Sequence, residues 1–283
     1  MPEWPKYIDP RDLSFGDSVP HPHLPSGIEL CRIESPEDPL FEQAYQLLDD
    51  EFCRSNEIEP RGVLIDRLSW RADQENENGF AMAYELLVLK VAGEIAAVRD
   101  HSAIVSQSEV TVHMSHVLVL PSWRRRGLAT ILRTLPVNFA RRVAAIAGVP
   151  DAELTLFCEM DPVVPESPSL SNQVRRASYA KAGFLTIPAG HGYLQPDFRP
   201  TSLIHSDPDG PKPVTLDILF RRIGRENEVE ISSSELIVHI ERIYEMYQRH
   251  VAPEHMAACL AWLESFHTLP QKIYPLDKPT FVL

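Results

Sequence analysis

No apolar run in the 283 residues approaches the ~18 needed to span a bilayer as a helix. Residues 1–26 lack the basic start and apolar stretch of a secretory leader and are rich in proline and polar residues instead. The expectation is a soluble, cytoplasmic chain with no membrane partner. Cysteine is sparse: Cys31, Cys53, Cys158 and Cys259 are scattered and form no CxxC pair. That pattern argues against a disulfide framework and for reduced, mostly buried thiols. Positive charge is also short, with 27 Lys and Arg against 40 Asp and Glu, a net charge of −13. Apart from Arg124, Arg125 and Arg126 there is no basic cluster, and nucleic-acid binding needs one to meet phosphates, so that class is set aside. An acidic surface suits a cationic amine instead. No internal repeat is present.

What is there is an ordinary globular composition, 44% hydrophobic, in a chain long enough for one large domain plus an accessory module. The expected organisation is an arm over residues 1–26, a domain over 27–224 and a helical extension over 225–283. Ile28–Ile33 alternates like a strand, and residues 39–53 place Leu40, Phe41, Ala44, Leu47 and Leu48 at helical spacing. Residues 74–79 form a polar loop. Runs 84–91 and 94–105, separated by Ala92-Gly93, read as a β-hairpin. A third run, 109–120, ends at Pro121. Residues 127–147 are helix-rich, with Pro136 expected to kink or interrupt them. A strand at 153–159, a Pro/Ser loop at 161–171, a helix at 173–182 closed by Gly183, and a strand from Phe184 follow. After a Pro/Gly-rich loop, 188–213, the last strand is expected at 214–221. Two amphipathic helices close the chain, the first with the capping box Ser232-x-x-Glu235, the second starting at Pro253. Paired strands followed by strand–helix alternation indicate an α/β fold: a mixed central sheet flanked by helices, with a C-terminal helical pair.

The informative stretch is Val117-Leu-Val-Leu-Pro-Ser-Trp-Arg-Arg-Arg-Gly-Leu-Ala-Thr130. A strand runs into a turn kept open by small residues, Gly127 and Ala129, and a helix begins there. Such a turn aims backbone N–H groups and the positive end of the helix dipole at one place. A pyrophosphate fits that place, and the three arginines add charge.

These residues resemble the acetyl-CoA motif of the GNAT superfamily, [Gln/Arg]-x-x-Gly-x-[Gly/Ala], matched by Arg124, Gly127 and Ala129. Farther on, Ala177-Ser-Tyr-Ala-Lys-Ala-Gly-Phe184 resembles the helix–strand signature Tyr-x-x-x-Gly-Phe of the same family. The resemblance covers about residues 28–223. It implies an N-acetyltransferase in which an amine attacks acetyl-CoA directly in a ternary complex, with no metal. Leu118, Val119 and Leu120 are then expected to offer unpaired backbone to the pantetheine arm. Arg124, Arg125, Arg126, Gly127, Leu128, Ala129 and Thr130 are expected to hold the pyrophosphate. Tyr179 takes the position from which the thiolate leaving group is protonated. Glu159, at the end of its strand, is the best-placed base for the ammonium proton, with Asp161 and His116 as rivals.

Other residues read more plainly. His113 and His116, three apart, fall on opposite faces of a strand and cannot share a metal. His21-Pro-His23 is a chance pair in the arm, and Cys158 an inert thiol. Pro136 and the loops at 161–171 and 188–213 depart from the family pattern, so acceptor and acyl chain length do not carry over. The alternative reading is a non-catalytic acyl-CoA-binding module, and the C-terminal helices suit a homo-oligomer contact under either reading.

Overall fold

The computed structural model describes residues 3–53, 57–163, 169–187, 193–267, 273–275 and 277–279. They form a mixed α/β protein that divides into two compact units, residues 1–156 and 157–283.

In the first unit, β1 (Ile28–Ile33), β2 (Ala81–Val91) and β3 (Glu94–Val105) pair antiparallel in sequence. The β2–β3 turn is made by Ala92 and Gly93, both at positive φ (53° and 84°), as a two-residue hairpin requires. Alternation divides β2 cleanly. Leu87, Leu89 and Val91 face one core with α3 (Leu128–Ile146), while Leu86 and Val88 face another with α1 (Phe41–Phe52) and α2 (Arg61–Leu68). Phe41, Ala44 and Leu48 supply the buried stripe of α1 at helical spacing.

The run expected as one strand over 109–120 is two. β4 (Glu109–His113) pairs with residues 102–105 of β3, and β5 (Val117–Val119) with residues 97–99. His113 lies opposite Ser102 and Val117 opposite Arg99, so four steps on one strand match three on the other. One extra residue has been inserted within 114–116, a β-bulge. Because opposed residues share a face, the bulge puts His113 and His116 on the same face, against the expectation of opposite ones. They still make no pair: His113 Nδ1 lies 3.0 Å from Ser115 Oγ, and His116 takes Asp100.

α3 runs unbroken through Pro136, so the proline, expected to kink or interrupt the helix, does not interrupt it. Proline there removes one backbone donor, but Leu132, Leu135, Val137, Phe139 and Ala140 are all buried around it. Packing of that extent outweighs one lost hydrogen bond.

β6 (Glu153–Met160) carries the chain from the first unit into the second. There α4 (Leu170–Lys181) starts a turn earlier than its apolar residues suggest, because Ser169 caps it, accepting from Asn172 N. The helix stops at Gly183, φ +78°, before the short β7 (Leu185–Thr186). The loop expected at 188–213 contains β8 (Tyr193–Gln195) and α5 (Thr201–Ser206); its residues 188–192 lie outside the described residues. β9 (Val214–Arg222) pairs antiparallel with both β7 and β8. It is not the last strand, since β10 (Glu230–Ser232) and β11 (Ile273–Pro275) pair later. Between them stand α6 (Ser233–Gln248), capped by Ser232 on Glu235 N, and α7 (Pro253–His267). Among the described residues no helix is long and apolar enough to cross a membrane.

Candidate functional site

In the first unit the backbone at the end of β5 turns partly away from its sheet partner. Leu120 N donates to Ala96 O at 3.0 Å and Asp100 N to His116 O at 3.2 Å. The ladder alternates, so Leu118 opposite Val98 is in phase with these pairs, and the N–H and C=O of Val119 turn away from β3. Leu118 therefore directs its backbone to β3, while Leu120 gives its N–H to β3 and its carbonyl accepts from Trp123 N at 2.8 Å, so neither is the open group expected of it. The Val119 carbonyl accepts from Arg124 Nε at 2.9 Å, which leaves its N–H directed away from β3.

After a 3-10 turn at Pro121–Trp123, the backbone turns left-handed twice, at Arg125 (φ 60°) and Gly127 (φ 85°), before α3 begins. A non-glycine residue in that region costs ~1–2 kcal/mol, and strain of this kind clusters at ligand-binding turns. No side chain caps the helix at Gly127. Thr130 N donates to Gly127 O at 3.1 Å, so it is the N–H groups of Leu128 and Ala129 that keep their capacity for an anion. The side chains sort by role. Leu128 is buried in the core, Thr130 Oγ1 donates to Asp17 Oδ1 at 3.1 Å, and the Arg126 guanidinium lies 4.9 Å above the Trp123 ring. Ala129 and all three arginines are exposed.

The arm is a built part of this unit. Ile8 and Leu24 enter its core, and buried Asp12 and Asp17 bind Arg141 and Arg133 of α3 at 2.9 and 3.1 Å. A Cβ placed on Gly127 would meet His21 Cβ at 2.6 Å and Leu24 Cδ1 at 3.2 Å, so the arm lies directly against the turn. An open cavity of about 510 Å³ is lined by His23, Leu24, Arg124, Arg125 and Arg126. His23 is thus a candidate ligand-facing residue that the sequence marked as chance; the arm carries no motif that would have flagged it.

His116 does not suit the role of base. It is 4% exposed, its N–H and Nδ1 meet Asp100 Oδ1 at 2.8 and 2.9 Å, and Nε2 lies 3.0 Å from Glu57 O. Burial disfavours its charge, but Asp100, with Glu59 behind it, overrides this and pushes the imidazole up to about 9. Protonated and enclosed, it has no lone pair to offer at neutral pH. Tyr84 OH donates to Asp100 Oδ2 at 3.0 Å and completes a structural network.

In the second unit, Tyr179 lies on α4, 8% exposed, with its ring edge-on to Phe184 at 4.9 Å. Glu159, near the end of β6, is half-buried and accepts from Tyr247 OH of α6 at 3.2 Å. Asp161 pairs with Arg175 at 2.6 Å, and its carbonyl accepts from Asn172 and Arg176. It fastens the start of α4, which argues against it as base. Cys158 is buried, and all four cysteines are free, although Cys53 is exposed against the expectation of mostly buried thiols.

No family profile matches the chain, and no curated protein matches its sequence. Solved structures do resemble it. One is an acetyltransferase of the GNAT family from Streptococcus pneumoniae, 15% identical, covering 69% of this chain and 100% of that one, TM-score 0.34. Another is an aminoglycoside 6'-N-acetyltransferase complexed with coenzyme A, 12% identical, covering 69% of this chain and 97% of the other, TM-score 0.39. A third is a tandem GNAT protein from the clavulanic acid biosynthesis pathway, 17% identical, covering 84% of this chain and 65% of that one, TM-score 0.39.

Proposed function

We propose that the chain is an acyl-CoA-dependent N-acyltransferase that moves an acetyl group from acetyl-CoA to a primary amine. The carrying observation is the uncapped start of α3 at Gly127, with two left-handed residues in the turn and three exposed arginines around an open cavity. Open N–H groups and guanidinium donors are what a pyrophosphate requires. In this reading the arginines and His23 meet the phosphates, and the N–H of Val119 polarises the thioester carbonyl.

The amine nitrogen attacks the thioester carbon, forming a C–N bond while the carbonyl oxygen takes on negative charge. Collapse breaks the C–S bond and expels CoA thiolate. Glu159 takes one proton from the substrate ammonium before attack, and Tyr179 gives one to the thiolate and is restored by the second proton that the nitrogen sheds as the amide forms. The resemblance supports the role of Tyr179, and the strand-end position of Glu159 under a tyrosine hydroxyl supports its role as base. The same carboxylate would meet a cationic acceptor by charge. A binding module without chemistry would need the phosphate turn but neither of these groups.

The experiment is acetyl-CoA binding followed by thiol release against amines grouped by charge. Acetyl-CoA should raise the melting temperature of the wild type. Gly127→Ala should abolish that shift and lower stability by at least the ~1–2 kcal/mol of a left-handed alanine, because its Cβ also collides with His21. Normal binding by Gly127→Ala would displace the phosphate turn from this reading. Binding without thiol release for any amine would favour the binding module.

A further inference from the structure

We infer that His205, Glu254 and His255 form a binding site for a divalent metal of the zinc class in the second unit. Each of the three residues offers a ligand atom, and these atoms all lie within 4.8 Å of one another. His205 Nε2 is 3.6 Å from Glu254 Oε1, and the two imidazole rings are 5.9 Å apart. Zinc bonds to His nitrogen and carboxylate oxygen at ~2.0–2.2 Å, which sets tetrahedral ligands about 3.3–3.5 Å from one another. The His205–Glu254 separation is already close to that, and both side chains are exposed and free to close the remainder.

The second observation is His255. It is 3% exposed, and its Nε2 is buried with no hydrogen-bond partner among the described residues. A buried polar nitrogen left without a partner costs ~1–3 kcal/mol, and a metal bond would satisfy an imidazole of this residue directly. Two imidazoles and one carboxylate are the ligand set that zinc accepts with a water in the fourth position. Glu254 also neutralises one of the two charges brought in.

The backbone that carries His205 is braced on both sides of it. Arg199 bonds Asp197 and Asp207 at 2.6 and 2.8 Å, Lys212 N donates to Asp197 at 2.8 Å, and Lys212 Nζ pairs with Asp207 at 2.8 Å. These bonds close residues 197–212 into a loop that carries α5 and His205 on it. Glu254 and His255 stand in the first turn of α7. A bound ion would staple α5 to α7, and this role does not depend on the acyl-transfer reading.

The test uses the full-length chain, stripped with a chelator and titrated with Co²⁺ and then Zn²⁺. The wild type should take one Co²⁺ into a site with visible absorption, lose it to Zn²⁺, and melt at higher temperature with Zn²⁺. His205→Ala and Glu254→Gln are surface changes that should leave the circular dichroism spectrum unchanged. Each should weaken binding by more than the ~10–100-fold that loss of an outer contact costs. A His21→Ala, His23→Ala double variant should bind like wild type. His255→Gln should also lose the site, and if it unfolds the two surface variants decide. Unchanged affinity in both surface variants, or no visible band in the wild type, overturns the site.

Discussion

At Gly127 two constraints coincide, a left-handed backbone and an arm packed where a side chain would stand, and Ala fails both. Arg125 bears the same backbone conformation with a side chain, at positive φ in an exposed turn. Tyr179 differs in kind, since its ring packs on Phe184 whether or not its hydroxyl reacts. Tyr179→Phe should therefore keep fold and acetyl-CoA affinity while lowering turnover by ~10²-fold, the scale of a lost general acid. Steady-state kinetics with a binding isotherm checks this, and full turnover would return Tyr179 to the core. In the same assays, Glu159→Gln should be slow at neutral pH and recover as pH nears the pKa of the amine itself. The role proposed for Tyr179 comes from motif spacing and that for Glu159 from its place near the end of β6. Val119 as the outward residue was not legible in the sequence, because only the phase of the β3–β5 ladder separates it from Leu118 and Leu120.

Elements were readable where periodicity was strong: β1, the β2–β3 hairpin, α6 and α7 stand where the pattern placed them. The bulge within 114–116 was hidden because an inserted residue changes pairing without changing composition. It has an energetic consequence, since it brings His116 beside Asp100. The folded pKa of His116, about 9, lies above its unfolded value of ~6.5. Its contribution is thus complete below pH ~6.5 and lost as pH rises through 9. His239 of α6 has the opposite sign. Burial against Phe157 at 4.9 Å, with Arg242 and Arg222 adding, pushes it down to about 3. The unfolded state gains a proton there below ~6.5, so stability falls as pH drops under that value. Hydrogen exchange resolved by segment should show the first unit loosening above pH ~7 and the second below pH ~6. His116→Gln should flatten the alkaline limb and His239→Gln the acid one. Limbs unchanged in both variants would assign the pH dependence to other groups.

Across the molecule, the C-terminal helices belong to the packing of the second unit. Tyr244 OH donates to Leu194 O at 2.7 Å, and Tyr193, Tyr244 and Trp262 cluster with ring centroids 5.5–6.4 Å apart. Leu236, Ile240, Ile243, Tyr247, Met256 and Leu263 are buried there, each side chain contributing about 1.5–3 kcal/mol. Ending the chain after Glu226 should expose this surface and give a dye-binding, aggregating protein, as size exclusion would show. A truncated chain of unchanged size behaviour and full activity would make the helices an independent module. The residue order by itself determined the fold class and most helices. It could do so because period, turn chemistry and local motifs act over a few residues. Tertiary structure alone decided that the arm packs on Gly127, that a bulge joins His116 to Asp100, and that His205 meets Glu254 and His255. Each of these joins residues distant in the chain, and distant contacts follow from packing a whole core, which no local pattern encodes.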